Sequence, residues 1–315
     1  MRTFGRNGAQ PLSWLPRRRP PRLAVVLSGG ANLGAFQVGV IDVLARAGLE
    51  PDLLVGTSVG ALNAAFWAFH PGAEVGARLF EVWLEVNRSV LLGGHPVLAL
   101  PRLLRGRYLF AHDGLVRLLR TVMPPAARIE EAIYPVNVVV TRALEGTREV
   151  LRSGPLESAI LASSAIPGIF PPVEIGGSFY VDGGLVANCD LEAVVEAGIE
   201  QAVAVDVMAG RFEAPTTDIL EAATRAVTFM ITRQTEMAIE RWAPRLRLAM
   251  VRARLGIPAG VDDFTHTRAL IDLGRSAAER LLREHLDGRF RVRPGILEVE
   301  LPDAVSVPPA VAEPA

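Results

Sequence analysis

The chain predicts an α/β fold: a mostly parallel sheet covered by helices on both faces. Three observations lead there. Apolar strand-like runs alternate with longer stretches of helical periodicity along most of the chain. The runs Val25-Val26-Leu27 and Val136 to Val140 lack the regular polar alternation of a half-solvated sheet, so both faces of those strands are expected to be buried. The chain has 315 residues, 50% of them hydrophobic, which suits one large core and excludes a disordered chain.

The elements follow in order. Residues 1–22 hold six arginines and four prolines and read as a disordered basic leader, whose arginines could touch anionic lipid. A signal peptide fits less well, because the apolar run Leu23–Leu27 lasts only five residues before Ser28-Gly29-Gly30. Strands are expected at 23–28, 52–55, 135–142, 148–152, 178–181, 201–207 and 246–251. Helices are expected at 35–47, 59–69, 74–86, 112–121, 156–163, 190–197, 216–241 and 266–285. Gly48 stops the first helix, and Asp113-Gly114 opens a later one. Residues 88–111, rich in Gly, Pro, Leu and Arg, read as a lid over a domain spanning 23–290. Residues 302–315, with four prolines, read as a disordered Pro/Ala tail.

Composition removes several function classes. The net charge is −1, so nothing global favours nucleic acid. The single cysteine, Cys189, excludes an internal disulfide and a cysteine metal cluster, and the five histidines show no ligand spacing. No metal or cofactor is expected. The longest apolar stretch, Leu53 to Phe69, is broken by Gly56, Ser58, Gly60 and Asn63, so it reads as strand, turn and helix rather than a membrane span. A soluble, cytoplasmic protein is expected.

Two strand-to-helix turns carry chemistry. Gly56-Thr57-Ser58-Val59-Gly60 has the Gly-x-Ser-x-Gly spacing between an expected strand and an expected helix. Its glycines let strand and helix close around a strained turn that lifts the Ser58 hydroxyl above the sheet. A buried turn with an incidental serine is the plainer reading. Ser28-Gly29-Gly30-Ala31-Asn32-Leu33-Gly34 offers outward backbone amides, either to a phosphate or to an oxyanion. A Walker loop is excluded, since no Gly-Lys-Ser/Thr follows.

A serine nucleophile needs a base. Asp182, at the end of an expected strand and followed by Gly183-Gly184, is one candidate; an Asp-Gly hairpin is the plainer reading of that sequence. Asp206, His266 and His285 are rivals, so a Ser58–Asp206–His266 triad stays open. So does a catalytically silent lipid- or nucleotide-binding module. The aromatic residues Phe36, Phe66, Trp67 and Phe69 read as core by default. The helix at 216–241 mixes Val227, Phe229, Met230, Ile231 and Met237 with Arg225, Arg233 and Arg241; it reads first as a sheet cover, and second as a lipid-facing surface.

Four stretches in order resemble the patatin-like phospholipase family. They are Leu27-Ser28-Gly29-Gly30 through Gly39, Asp52 through Asn63, Ala162 through Pro172, and Tyr180-Val181-Asp182-Gly183-Gly184 with Asn188 after it. The resemblance implies a three-layer α/β/α sandwich and a Ser–Asp dyad without histidine. It makes Ser58 the nucleophile and Asp182 the general base, with backbone amides around Gly29, Gly30 and Ala31 as the oxyanion hole. It implies lipid acyl esters as substrates and no metal; the leader arginines and the helix at 216–241 add the expectation of peripheral contact with a membrane. The sequence departs from the pattern at two places. Ala31 stands where the family has a third glycine, and Leu33 where it often has a basic residue. An alanine held at positive φ would be strained there.

Overall fold

A five-residue strand, β1 (Leu23–Leu27), is buried along its whole length at the centre of the molecule. Its side chains sort by alternation. Leu23, Val25 and Leu27 join one apolar core; Ala24 and Val26 join a second, on the opposite face of the sheet. This two-sided burial makes three layers, α/β/α, as expected. The computed structural model describes residues 22–87, 108–210, 216–255 and 263–301.

The other elements come in chain order. They are α1 (Gly34–Arg46), β2 (Leu53–Thr57), α2 (Val59–Phe69), α3 (Val75–Glu85), α4 (Asp113–Val122), β3 (Val136–Arg142), β4 (Thr147–Leu151) and α5 (Leu156–Ser163). Then follow β5 (Val173–Ile175), β6 (Ser178–Asp182), α6 (Gly184–Ala187), α7 (Glu192–Glu196), β7 (Gln201–Gly210), α8 (Ile219–Trp242), β8 (Arg247–Leu255), α9 (Thr267–His285) and β9 (Gly295–Glu300). Among the described residues these strands form one sheet in the order β5-β6-β3-β2-β1-β7-β8-β9, with β4 also paired to β3. The run β3-β2-β1-β7-β8-β9 is parallel throughout. The strands β4, β5 and β6 are antiparallel additions at one side. The chain leaves β1 toward β2 and later returns to its other flank as β7, so the crevice beyond the carboxyl end of β1 lies at a switch in strand order, where open α/β sheets bind ligands.

Helix α1 is apolar nearly all round, which suits a helix with no wet face: it lies between the sheet and α9. Gly39 on α1 and Gly274 on α9 permit that approach, because a Cβ on either would overlap backbone of the other helix. Arg275 of α9 closes the contact with an ion pair to the buried Asp42, 2.8 Å away. Gly48, at φ 86°, turns the chain out of α1 as expected.

Several boundaries differ from expectation. The strands β5 and β9 are half-exposed edge elements that the sequence reading does not assign; their alternation, Val173-Glu174-Ile175 and Leu297-Glu298-Val299-Glu300, is confined to very short runs. Because β9 pairs with β8, the sheet extends beyond residue 290. Arg22, assigned to the leader, is tied to the fold through a 2.7 Å bond to the Gly198 carbonyl. The rest of the leader, the tail, and residues 88–107 of the expected lid lie outside the described residues. Among the described residues, no helix is long and apolar enough to cross a membrane.

The α1–α9 contact is testable. Gly39→Val should lower the unfolding free energy by roughly 1–3 kcal/mol, the usual cost of overpacking, and shift the urea midpoint down. An unchanged midpoint would mean that the two backbones do not meet.

Candidate active site

Ser58 sits at the junction of β2 and α2 with φ 53° and ψ −125°, a region that side-chain-bearing residues enter only under constraint, at about 1–3 kcal/mol. The constraint is visible on both sides. A Cβ on Gly60 would overlap the Leu27 carbonyl, and one on Gly56 would overlap the first turn of α2, so strand and helix meet across the turn with no spare space. The Ser58 N–H donates to Ser163 Oγ at 2.8 Å, and that hydroxyl donates onward to the Val139 carbonyl at 2.7 Å.

Asp182 arrives from the other direction, at the end of the antiparallel β6, which lies beside β3 with Val140 opposite Asp182. Its backbone is held by the Ala165 carbonyl and the Thr141 hydroxyl. Ser58 Oγ donates to Asp182 Oδ2 at 2.6 Å, and the Gly184 N–H donates to Oδ1 at 2.7 Å. Asp-Gly-Gly is therefore no hairpin here: Gly183 and Gly184 lead into the short helix α6. Burial outweighs these two bonds and raises the Asp182 carboxyl from an ordinary 3.8 to about 6.

The glycine turn faces this pair. Its first amide does not face the crevice: the Gly29 N–H donates to the Asn188 carbonyl at 3.2 Å, which corrects the expectation that it points outward. The Gly30 and Ala31 N–H groups have no partner among the described residues, and both residues line the cavity that holds Ser58. Ala31 does sit at positive φ, 49°, the strain anticipated for it. Leu33, at the second departure from the family pattern, is buried core.

Beneath the turn runs a buried chain of amides. Trp83 Nε1 donates to Asn63 Oδ1, Asn63 Nδ2 to Gln37 Oε1, and Gln37 Nε2 to the Ser28 carbonyl, at 3.0, 3.0 and 2.7 Å. Sequence reasoning gave no role to Gln37, Asn63 or Ser163. The available signal was a polar residue inside an apolar helix run, Phe36-Gln37-Val38 and Leu62-Asn63-Ala64, since a polar side chain on a buried face must be hydrogen-bonded to something specific.

The rival groups are elsewhere. Asp206 is buried against Arg252 at 3.1 Å and accepts the Met208 N–H. His266 lies 4.0 Å from Asp263, and His285 contacts the Arg293 carbonyl. Neither bond that a Ser58–Asp206–His266 triad requires is made.

The cavity measures about 290 Å³. Ile166, Pro167 and Ile169 form one wall; Leu185, Met208, Val227, Met230 and Ile231 form another. Phe110 and Leu109, at the end of the expected lid, bond to the backbone of Ile169 and Gly168 behind the first wall. Phe36, Phe66 and Trp67 are core, not cavity lining.

The family model of the patatin-like phospholipases matches residues 25–195, more than half of the chain. The chain belongs to the patatin-like phospholipase family. An uncharacterized NTE family protein of Mycobacterium bovis is 28% identical over 191 residues, covering 59% of this patatin-like chain and 49% of its own length. The human patatin-like phospholipase domain-containing protein 6 is 28% identical over 187 residues, again 59% of this chain but 13% of the longer one. The chain thus spans about half the length of the mycobacterial relative. Among solved structures, VipD from Legionella pneumophila superposes with a TM-score of 0.45 at 16% identity, covering 85% of this chain and 67% of that one.

The raised Asp182 carboxyl has a consequence for stability. Its proton is held more tightly in the folded chain than in the unfolded one. Folding therefore loses about 3 kcal/mol as pH rises from below 3.8 to above about 6. Asp182→Asn should unfold later than the parent protein at pH 7.5, with the difference shrinking toward pH 4. A variant less stable than the parent at both pH values would contradict a strained carboxylate.

Proposed function

We propose that the protein is a serine acyl hydrolase acting on lipid esters through Ser58 and Asp182. One observation carries the reading: a buried hydroxyl and carboxylate bonded at 2.6 Å at a largely apolar cavity that is also lined by Gly30 and Ala31, whose N–H groups have no partner among the described residues. A carboxyl at about 6 is ionised near neutral pH and basic enough to take a proton in the transition state.

The steps follow from these positions. Ser58 Oγ attacks the ester carbonyl carbon as its proton passes to Asp182 Oδ2. The carbonyl oxygen gains the negative charge and accepts from the Gly30 and Ala31 N–H groups, each donor of this kind being worth about 2.7–4 kcal/mol in other enzymes. The N-terminus of α2 adds a favourable field. Collapse of the tetrahedral intermediate breaks the ester C–O bond, and Asp182 returns its proton to the departing alcohol. A water then enters, gives a proton to Asp182 and attacks the acyl carbon; as the bond from that carbon to Ser58 Oγ breaks, Asp182 returns the proton to Oγ, and the acid leaves. Ile166, Ile169, Met208 and Ile231 offer the acyl chain an apolar wall.

The surface around the mouth supports contact with lipid. Helix α8 turns Thr228 and Thr235 inward and leaves Ile219 87% and Met230 71% exposed. Ile219, Met230 and Met237 lie three and two helical turns apart, on one face. This differs from the plain expectation of a helix covering the sheet with its apolar side; among the described residues, it is the C-terminal end, at Ala238, Ile239 and Trp242, that joins a core. Apolar side chains presented outward beside a largely apolar cavity suit a bilayer surface.

Two experiments test the reading. A fluorophosphonate should attach to Ser58, located by mass spectrometry, and the labelling rate should fall as pH drops through about 6, when Asp182 takes up a proton. Ser58→Ala and Asp182→Asn should abolish ester turnover, and His266→Ala should leave it intact. An adduct elsewhere, or full turnover in Asp182→Asn, excludes the dyad. Ile219→Glu with Met237→Glu should weaken sedimentation with phosphatidylglycerol–phosphatidylcholine vesicles several-fold while a short soluble ester is hydrolysed at the parent rate. Equal sedimentation would place the lipid contact elsewhere.

A further inference from the structure

The segment that follows Asp182 does more than deliver a carboxylate. Asn188 holds Gly29 from two sides. Its backbone carbonyl accepts the Gly29 N–H at 3.2 Å, and its side-chain Nδ2 donates to the Gly29 carbonyl at 3.4 Å. Ser28 Oγ, itself fixed by the Val207 N–H, donates to the same carbonyl at 3.0 Å. A trans peptide is planar, with its C=O and N–H pointing opposite ways. Tying the Gly29 carbonyl inward therefore turns the Gly30 N–H outward, toward Ser58. A Cβ on Gly29 would come 2.5 Å from Asn188 Oδ1, so the clasp also requires glycine there.

Asn188 is in turn held by helix α8. Gln234 Oε1 accepts the Asn188 N–H at 2.6 Å, while Gln234 Nε2 donates to the Leu185 carbonyl at 3.0 Å. One side-chain amide thus spans both ends of the short α6 segment. The path from the apolar surface of α8 to the glycine turn is continuous: Gln234, Asn188, Gly29, and then the Gly30 amide.

We infer that Asn188 and Gln234 are positioning residues that aim the Gly30 N–H at the ester oxygen, and that Gln234 couples the seating of α8 to that amide. The inference rests on the hydrolase reading above. It assigns neither residue to the reacting atoms. Both act through the Gly29–Gly30 peptide, so their effect belongs to the tetrahedral state and not to ester binding, where the carbonyl oxygen carries little charge.

The test compares the parent protein with Gln234→Met, which keeps the volume and loses both bonds, and with Asn188→Asp, which keeps the shape and loses the donor. Three quantities are read on the full chain: kcat and KM for p-nitrophenyl butyrate, the affinity for a trifluoromethyl ketone that forms a tetrahedral adduct on serine, and the affinity for the matching unreactive ether. Each variant should lose at least about tenfold in kcat with KM within threefold. The ketone affinity should fall in step with kcat/KM, and the ether affinity should stay level. A kcat within twofold of the parent in Gln234→Met overturns the inference, as does an equal loss of ketone and ether affinity. If Asn188→Asp does not fold, Gln234→Met decides alone, because Gln234 lies on the outer helix. A parent protein that neither turns over ester nor takes label at Ser58 overturns the hydrolase reading itself; an active, labelled parent with unchanged variants overturns only this inference.

Discussion

The 2.6 Å hydrogen bond between the buried side chains of Ser58 and Asp182 is the contact on which the site depends. What sets it apart is the absence of a cation. The other buried carboxylates that bear on the fold each have an arginine: Asp42 with Arg275, Asp190 with Arg148, Asp206 with Arg252. Asp182 has a hydroxyl and one backbone amide. A charge buried so sparsely is costly, and that cost raises its basicity into the range where a carboxylate can accept a proton near neutral pH. An arginine at Asp182 would relieve the cost and remove the basicity together.

Strain is concentrated at the two strand ends that face this bond. Ser58 and Ala31 both stand at positive φ, at the ends of the adjacent strands β2 and β1. Neither conformation is self-supporting in an L-residue. The surroundings hold them: Ser163 bridges Ser58 to β3, and the Trp83–Asn63–Gln37 chain ties three helices to the Ser28 carbonyl. Buried and mutually satisfied, those amides allow the turn one arrangement of donors and acceptors.

Helix α8 is attached in an unusual way. Thr228, Thr232 and Thr235 lie on the inner side, where Thr232 donates to the Met208 carbonyl and the buried Thr235 hydroxyl has no partner among the described residues, while Ile219, Met230 and Met237 face outward. On the inner side of the same helix, Gln234 bonds to Asn188, which holds the glycine turn.

By itself the sequence determined the layers and the β1–α1 and β2–α2 turns that carry Gly30, Ala31 and Ser58. These are local properties: unbroken apolar runs mark strands buried on both faces, and glycines at fixed offsets mark turns where backbone must approach backbone. It even flagged Ala31 as a strained position, because the requirement for positive φ is a property of that one residue. Only the tertiary structure decided which carboxylate reaches Ser58. Asp182 ends β6 while Asp206 lies within β7, and what separates them is that β6 runs antiparallel beside β3 whereas Asp206 meets Arg252 on β8. It also decided that the Gly29 amide turns inward and that α8 shows its apolar face to the outside. Both depend on partners more than a hundred residues or several elements away, and a local pattern of residue types carries no information about which distant group will be waiting.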